Sequence, residues 1–190
     1  MPEQVVPTVY FERPGPENTD RVLEIARRRA EELGIGTILV ATTRGETGVR
    51  ATRAFPDRRV IAVTHVTGFQ EPNTQELEPV HRAEMERLGA RILTATHALG
   101  GAGRAIRKKL GTYQVDEVIA YTLRLFGEGM KVAIEIALMA ADAGLVRTDE
   151  EAISIAGTGQ GADTAIVLRP ANTHRLLDLR VLEILCKPRL

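Results

Sequence analysis

The chain alternates between two kinds of apolar segment, and that alternation constrains its fold more than any other feature. Short β-branched runs fall at Thr37 to Thr42, Val60 to Thr64 and Arg91 to Ala95. Between them, Glu46 to Phe55 and Gln75 to Leu88 carry apolar residues at helical spacing. Strands joined through helices lie parallel, with right-handed crossovers, so helices end up covering both faces of the sheet. The predicted fold class is an α/β three-layer sandwich on a mostly parallel sheet. Upstream, a short apolar segment (Val9-Tyr10-Phe11) precedes a turn at Pro14-Gly15-Pro16. A helix follows, with Asn18 or Thr19 expected as its cap, a stripe through Val22, Leu23, Ile25, Ala26, Ala30 and Leu33, and Gly34 as its stop.

Downstream, Arg104 to Leu110 reads as a basic helix, Val115 to Phe126 as amphipathic, and Met130 to Ala143 as apolar nearly all round and therefore buried on most sides. Strands return at Ala152 to Ala156, Thr164 to Arg169 and Leu179 to Leu185. The Gly157-to-Asp163 connection is short enough for a hairpin, so one late strand is expected to run antiparallel. No linker or low-complexity tract interrupts residues 1–190, which implies one domain.

Composition narrows the function by exclusion. With 25 basic and 25 acidic residues the formal charge is zero, so no global pull toward nucleic acid is expected. The basic residues are mostly arginine, a bias that suits anion recognition and equally reflects base composition of a genome. A single cysteine, Cys186, allows no intrachain disulfide, and the amino terminus has neither a basic nor an apolar signal region; the expected location is the cytoplasm. No apolar run is long enough to span a bilayer, so no membrane role is expected. Paired cysteines and HExxH are absent, hence no metal is assigned. The one serine, Ser154, sits in an apolar strand and does not look like a nucleophile.

Ligands of parallel sheets bind outside the carboxyl ends of the strands. Four segments that leave predicted strands are rich in threonine, histidine and glycine: Thr42 to Gly48, Thr64 to Phe69, Thr96 to Gly101, and Gly157 to Gly161. The second and third share a TH-x-x-G pattern, so His65 and His97 are expected to open onto one crevice at equivalent places. The first breaks from a buried strand into Thr42-Thr43-Arg44-Gly45-Glu46-Thr47-Gly48 and then into a helix. Hydroxyls, free amides and the positive end of the helix dipole would meet there, which suits a phosphate and equally suits plain helix capping.

Other features admit two readings. His65 and His97 are candidate acid/base groups or hydrogen-bonded structural residues, while His81 and His174 look like surface residues. Gly157-x-Gly159-x-x-Ala162 matches a dinucleotide fingerprint in form, but Thr164 onward reads as a strand where the fingerprint needs a helix. Glu135 interrupts the apolar helix; it is a third catalytic candidate, or a partner of Lys131 four residues away. Asp142 lies near that helix's end, where a carboxylate opposes the dipole unless it is bonded. Arg104, Arg107, Lys108 and Lys109 form a basic helical face, a solvated surface or an anion-steering one.

The unit from Ile38 through TTRGETG and a helix to Arg59-Val60-Ile61-Ala62-Val63-Thr64 resembles the C-terminal α/β domain of pyruvate kinase. A stand-alone family of such domains is similar along the whole chain. The likeness includes Tyr10-Phe11, Thr67-Gly68-Phe69, Lys109-Leu110-Gly111, Met139-Ala140-Ala141-Asp142, Gly161-Ala162-Asp163-Thr164-Ala165 and Arg169-Pro170-Ala171. The barrel and catalytic residues of pyruvate kinase are missing, so kinase activity is not implied. At least one member of the stand-alone family is associated with flavin mononucleotide (FMN).

The resemblance implies that a small phosphorylated ligand, FMN foremost, places its phosphate on the Thr43-to-Thr47 turn. Its ring would cross a crevice lined by Thr64, His65, Gly68, Phe69 and His97, under a loop of Gly157, Thr158, Gly159 and Gly161 with Asp163 and Thr164 at its foot. The alternatives are an enzyme acting on a phosphorylated metabolite, with His65 or His97 as acid/base, and a non-catalytic sugar-phosphate sensor. Arg44 departs from the family pattern at the turn; it strengthens a phosphate contact or obstructs a flavin ring. A homo-oligomer is compatible with the sequence, but no segment names its interface.

Overall fold

The computed structural model describes residues 3–189. Its strands are β1 (Val9–Phe11), β2 (Thr37–Ala41), β3 (Arg59–Thr64), β4 (Arg91–Thr94), β5 (Ala152–Ala156), β6 (Thr164–Arg169) and β7 (Arg180–Pro188). The helices are α1 (Thr19–Leu33), α2 (Glu46–Ala54), α3 (Pro79–Arg87), α4 (Ala102–Leu110), α5 (Val115–Arg124) and α6 (Glu128–Asp142). One seven-stranded sheet runs in the order β1-β7-β6-β5-β2-β3-β4. β5, β2, β3 and β4 are mutually parallel, and only β6 is reversed, pairing antiparallel with β5 and with β7. The expected fold class and the late antiparallel strand are both present.

Side-chain alternation along the strands separates two cores. Ile38, Val40, Val60, Ala62, Ile153, Ile155 and Val167 face α1, α2 and α3, where Val22, Ala26, Val49, Phe55 and Met85 complete the packing. Leu39, Ile61, Val63, Ala156, Ile166 and Leu168 face α6. Because strands buried on both faces have no solvent side, they read as unbroken apolar runs. α6 lies on the sheet and is itself covered by α5 and by Leu176 and Leu179 of the segment before β7. That second cover is why it has no polar stripe. Ser154 is fully buried and donates to the Ala133 carbonyl of α6 at 2.8 Å, a bond between two layers.

Element ends shift where side chains compete for the backbone. The helix expected from Gln75 begins at Pro79 instead, because Gln75 accepts from the Leu77 amide (2.9 Å) and donates to the His65 carbonyl (3.1 Å). Neither expected cap of α1 bonds a helix amide. Asn18 donates back to the Arg13 carbonyl, and the Thr19 hydroxyl donates to the Pro16 carbonyl at 2.6 Å while accepting from the Ala162 amide at 3.0 Å. Thr19 therefore fastens the loop between β5 and β6 to the start of α1. Asp142 is bonded as its position demands. Burial works against its charge, but the Thr173 amide (2.9 Å) and Asn172 outweigh that and hold its carboxyl below the usual range.

Candidate functional site

The four parallel strands β5, β2, β3 and β4 end side by side, so the segments that leave them line one edge in the order 157–163, 42–48, 65–78 and 95–101. The edge also receives the amino termini of α1, α2 and α6, because each of these helices runs against the strand it adjoins. The starts of α1 and α6 both meet the β5–β6 loop where it ends at Asp163. Asp163 is fully buried and accepts from the Thr158 amide at 3.0 Å and from the Thr164 hydroxyl at 2.8 Å. α6 approaches so closely at Gly129 that a Cβ there would lie 2.2 Å from the Thr164 hydroxyl. Asp163 and Thr164 thus build the foot of the loop, and Thr158, Gly159 and Gln160 are its exposed part. The loop joins two antiparallel strands, with no helix after it, so the fingerprint Gly157-x-Gly159 lacks the context it needs.

The turn after β2 is braced from beneath. Thr42 is buried and its hydroxyl accepts from the Gly48 amide at 3.2 Å. Gly45 holds φ 111° and is buried; a Cβ there would lie 2.3 Å from the Cβ of His81. Any other residue would meet both strain and collision. The Arg44 carbonyl accepts from the Glu78 amide (3.1 Å) and from Nδ1 of His81 (3.0 Å). His81 is thereby a brace of the turn and not a free surface residue, whereas His174 is exposed. What the turn leaves open is Thr43, Arg44, Glu46 and Thr47. Among the described residues, the amides of Glu46 and Thr47 and both threonine hydroxyls make no hydrogen bond, and Arg44 makes no ion pair. A hollow of about 700 Å³ borders this turn between α2 and α3, lined by Glu46, Arg50, Arg53, His81, Glu84 and Arg87.

The histidine loops meet as expected but are not equivalent. Thr64 is the last residue of β3 and pairs with Thr94, not with Thr96, so the second TH-x-x-G begins two residues further beyond its strand. The Thr64 and Thr94 hydroxyls share a 2.7 Å bond across the strand ends. His97 reaches back over that gap, and its Nε2 accepts from the Val66 amide at 3.3 Å. Its pKa is lowered to about 4, chiefly by burial, with Glu135 pulling the other way. The ring of His65 packs 5.4 Å from His97 and 4.2 Å from Phe69, and its Nδ1 lies 2.8 Å from Oε2 of Glu76. Phe69 stacks on His97 at 5.0 Å, and the guanidinium of Arg104 sits over Phe69 at 5.0 Å. Gly68 is exposed beside them.

Glu135 does not reach this rim. It is buried, accepts from the Leu99 amide at 3.0 Å and pairs with Lys131, which is equally buried. One oxygen holds the β4 loop to α6 and the other pairs within the helix, a structural role. Two contributors escaped sequence reading. Glu76 follows His65 by eleven residues, a separation with no local signal, whereas Arg104, grouped with a basic face, was marked only by standing one turn after the loop. No helix among the described residues is long and apolar enough to cross a membrane.

A mixed seven-stranded sheet with one reversed strand, sandwiched between helices, defines a domain of the three-layer α/β class. Within that class, the family model described as "Pyruvate kinase, alpha/beta domain" matches residues 20–168, and the chain belongs to that family. β1 and β7 lie outside the matched stretch. Among solved structures, the chain is similar to a pyruvate kinase from Cryptosporidium parvum, at 15% identity and TM-score 0.41 over 80% of this chain and 23% of that one. A second structure of pyruvate kinase from that organism gives 14% and 0.40 over 90% and 24%. One in complex with ADP gives 14% and 0.39 over 88% and 24%. The chain spans about a quarter of the length of these pyruvate kinases.

Proposed function

We propose that the protein binds a small phosphorylated ligand, FMN foremost, in the cytoplasm, with the phosphoryl group on the Thr43-to-Thr47 turn. The observation that carries this reading is the set of unengaged donors on a rigid turn: two first-turn amides of α2, two hydroxyls and the unpaired Arg44. Glu46 puts a carboxylate on the same turn and opposes an anion, and Arg44 is its counterweight. A ring joined to the phosphate would extend toward the His65, Phe69 and His97 cluster, where it would take the place of the Arg104 guanidinium over Phe69.

Fluorescence titration with FMN, riboflavin and inorganic phosphate tests the reading. FMN is expected to bind at least roughly tenfold more tightly than riboflavin, because a charge-assisted phosphate contact contributes on the order of 1.5–3 kcal/mol. Thr47→Asp, which sets a negative charge where the phosphate would sit, is expected to abolish that preference. Equal affinity for the two flavins removes the turn from the site. Stabilisation by sugar bisphosphates, with no flavin binding, keeps the phosphate and discards the flavin.

A second reading, an enzyme acting on a phosphorylated metabolite, is favoured by one observation. His65 alone has the arrangement of a working acid/base: a carboxylate on Nδ1 and a partly exposed ring. His97 spends its Nε2 on a backbone amide. Were either histidine to move a proton, it would be His65, oriented by Glu76.

A further inference from the structure

A surface helix normally turns its polar side to water, and α5 does so only in part. It packs Ile119, Ala120 and Leu123 against the core, yet Val115, Val118 and Tyr121, with Leu125 just after the helix, face outward, Val115 76% and Leu125 78% exposed. Leu110 and Tyr113 before the helix and Phe126 after it extend the patch, Leu110 at 70% exposure. At roughly 150–200 Å² per full side chain, these residues leave on the order of 700–800 Å² open. That is above the roughly 300–600 Å² of the largest patch on an ordinary monomer. It is comparable with the roughly 800 Å² that each partner contributes to a stable complex.

Charge favours a like surface over an anionic one. The arginines within the patch are already neutralised, Arg107 by Glu117 at 2.6 Å and Arg124 by Glu128 at 2.5 Å. Each also lies over a tyrosine, Arg107 over Tyr113 and Arg124 over Tyr121, at 5.3 Å in both cases. Tyrosine–arginine platforms of this kind are enriched where proteins meet proteins. Two copies set antiparallel about a two-fold axis through this face oppose the dipoles of their α5 helices. We propose that this face joins two copies of the chain in an isologous dimer, α5 against α5. Lys108 and Lys109, both exposed, then stand at its rim.

Sedimentation equilibrium of the full chain is expected to give twice the 20.8 kDa chain mass. Val118→Glu with Leu125→Glu should weaken the association by roughly a hundredfold or more, while Val80→Glu, on the exposed side of α3, leaves it intact. Tyr121→Cys, near the axis, should form an interchain disulfide on oxidation, since the native Cys186 is buried and does not compete. The cross-link decides the matter alone if the double variant fails to fold. A monomer at roughly 100 µM, a dimer that survives both glutamates, or binding to phosphatidylserine vesicles in place of dimerisation overturns the assignment.

Discussion

The loops after β3 and β4 carry the same TH-x-x-G pattern and meet at one edge, yet they are held in opposite ways. The β3 loop is anchored by Glu76, a partly exposed carboxylate that leaves one nitrogen of His65 facing outward. The β4 loop is anchored from inside, by the buried Glu135–Lys131 pair on the Leu99 amide, and His97 is turned into the protein to accept from Val66. A shared motif therefore did not fix what each histidine bonds. With the two-residue offset between the strand ends, His97 reaches the Val66 amide while His65 meets the Glu76 carboxylate.

The largest test of this contrast is at the buried anchor. Glu135→Ala leaves the Lys131 charge and the Leu99 amide unpaired in the core and is expected to cost about 3–5 kcal/mol in urea denaturation. Replacing both partners, Lys131→Met with Glu135→Leu, should recover most of that loss. A single-variant cost near that of an exposed pair would mean that the β4 loop is not internally anchored.

Acid sharpens the comparison at intermediate scale. His97 has a folded pKa of about 4 against an ordinary 6.5, so on acidification the unfolded chain takes up the proton first. The stability linked to His97 is complete above about pH 6.5 and falls as pH drops toward 4, by up to about 3 kcal/mol. His97→Gln keeps an acceptor for Val66 and should flatten that part of the profile. By NMR the His97 ring signals should hold constant down to about pH 5; titration near pH 6.5 would place the ring in solvent.

The smallest structural effect is expected at the outer anchor. Glu76→Gln should shift stability by less than about 1 kcal/mol, as for other partly exposed ion pairs. If the protein turns over a phosphorylated metabolite, the same variant should lower kcat by roughly tenfold or more, and His97→Gln should not. Equal losses from the two variants would erase the distinction between the loops.

Much of the architecture was legible because periodicity is local. The apolar runs of β2, β3, β5 and β6 and the unbroken apolarity of α6 follow from burial on two faces, and their limits came within a residue or two. The start of α3 was missed because Gln75 spends its amide on the backbone of its own loop, at Leu77 and at His65 ten residues earlier. The site was legible only as a gathering of loops. Strand order alone brings the carboxyl ends together, but which threonines remain free on arrival depends on bonds across the chain. Thr43 and Thr47 stay open, while Thr42, Thr64 and Thr164 are consumed by the frame.

Sequence by itself determined the layers, the reversed strand and the edge where polar loops collect, since each follows from hydrophobic period and connection length. Tertiary structure alone decided that Gly45 is pinned under His81, that Glu135 serves the core and that His65 bonds a carboxylate while His97 bonds a backbone amide. It also decided that α5 leaves a second apolar stripe in water. Those outcomes turn on contacts between residues 10 to 40 positions apart or more, and a hydrogen bond or a desolvated charge acts over a few ångströms of space, whatever the distance along the chain.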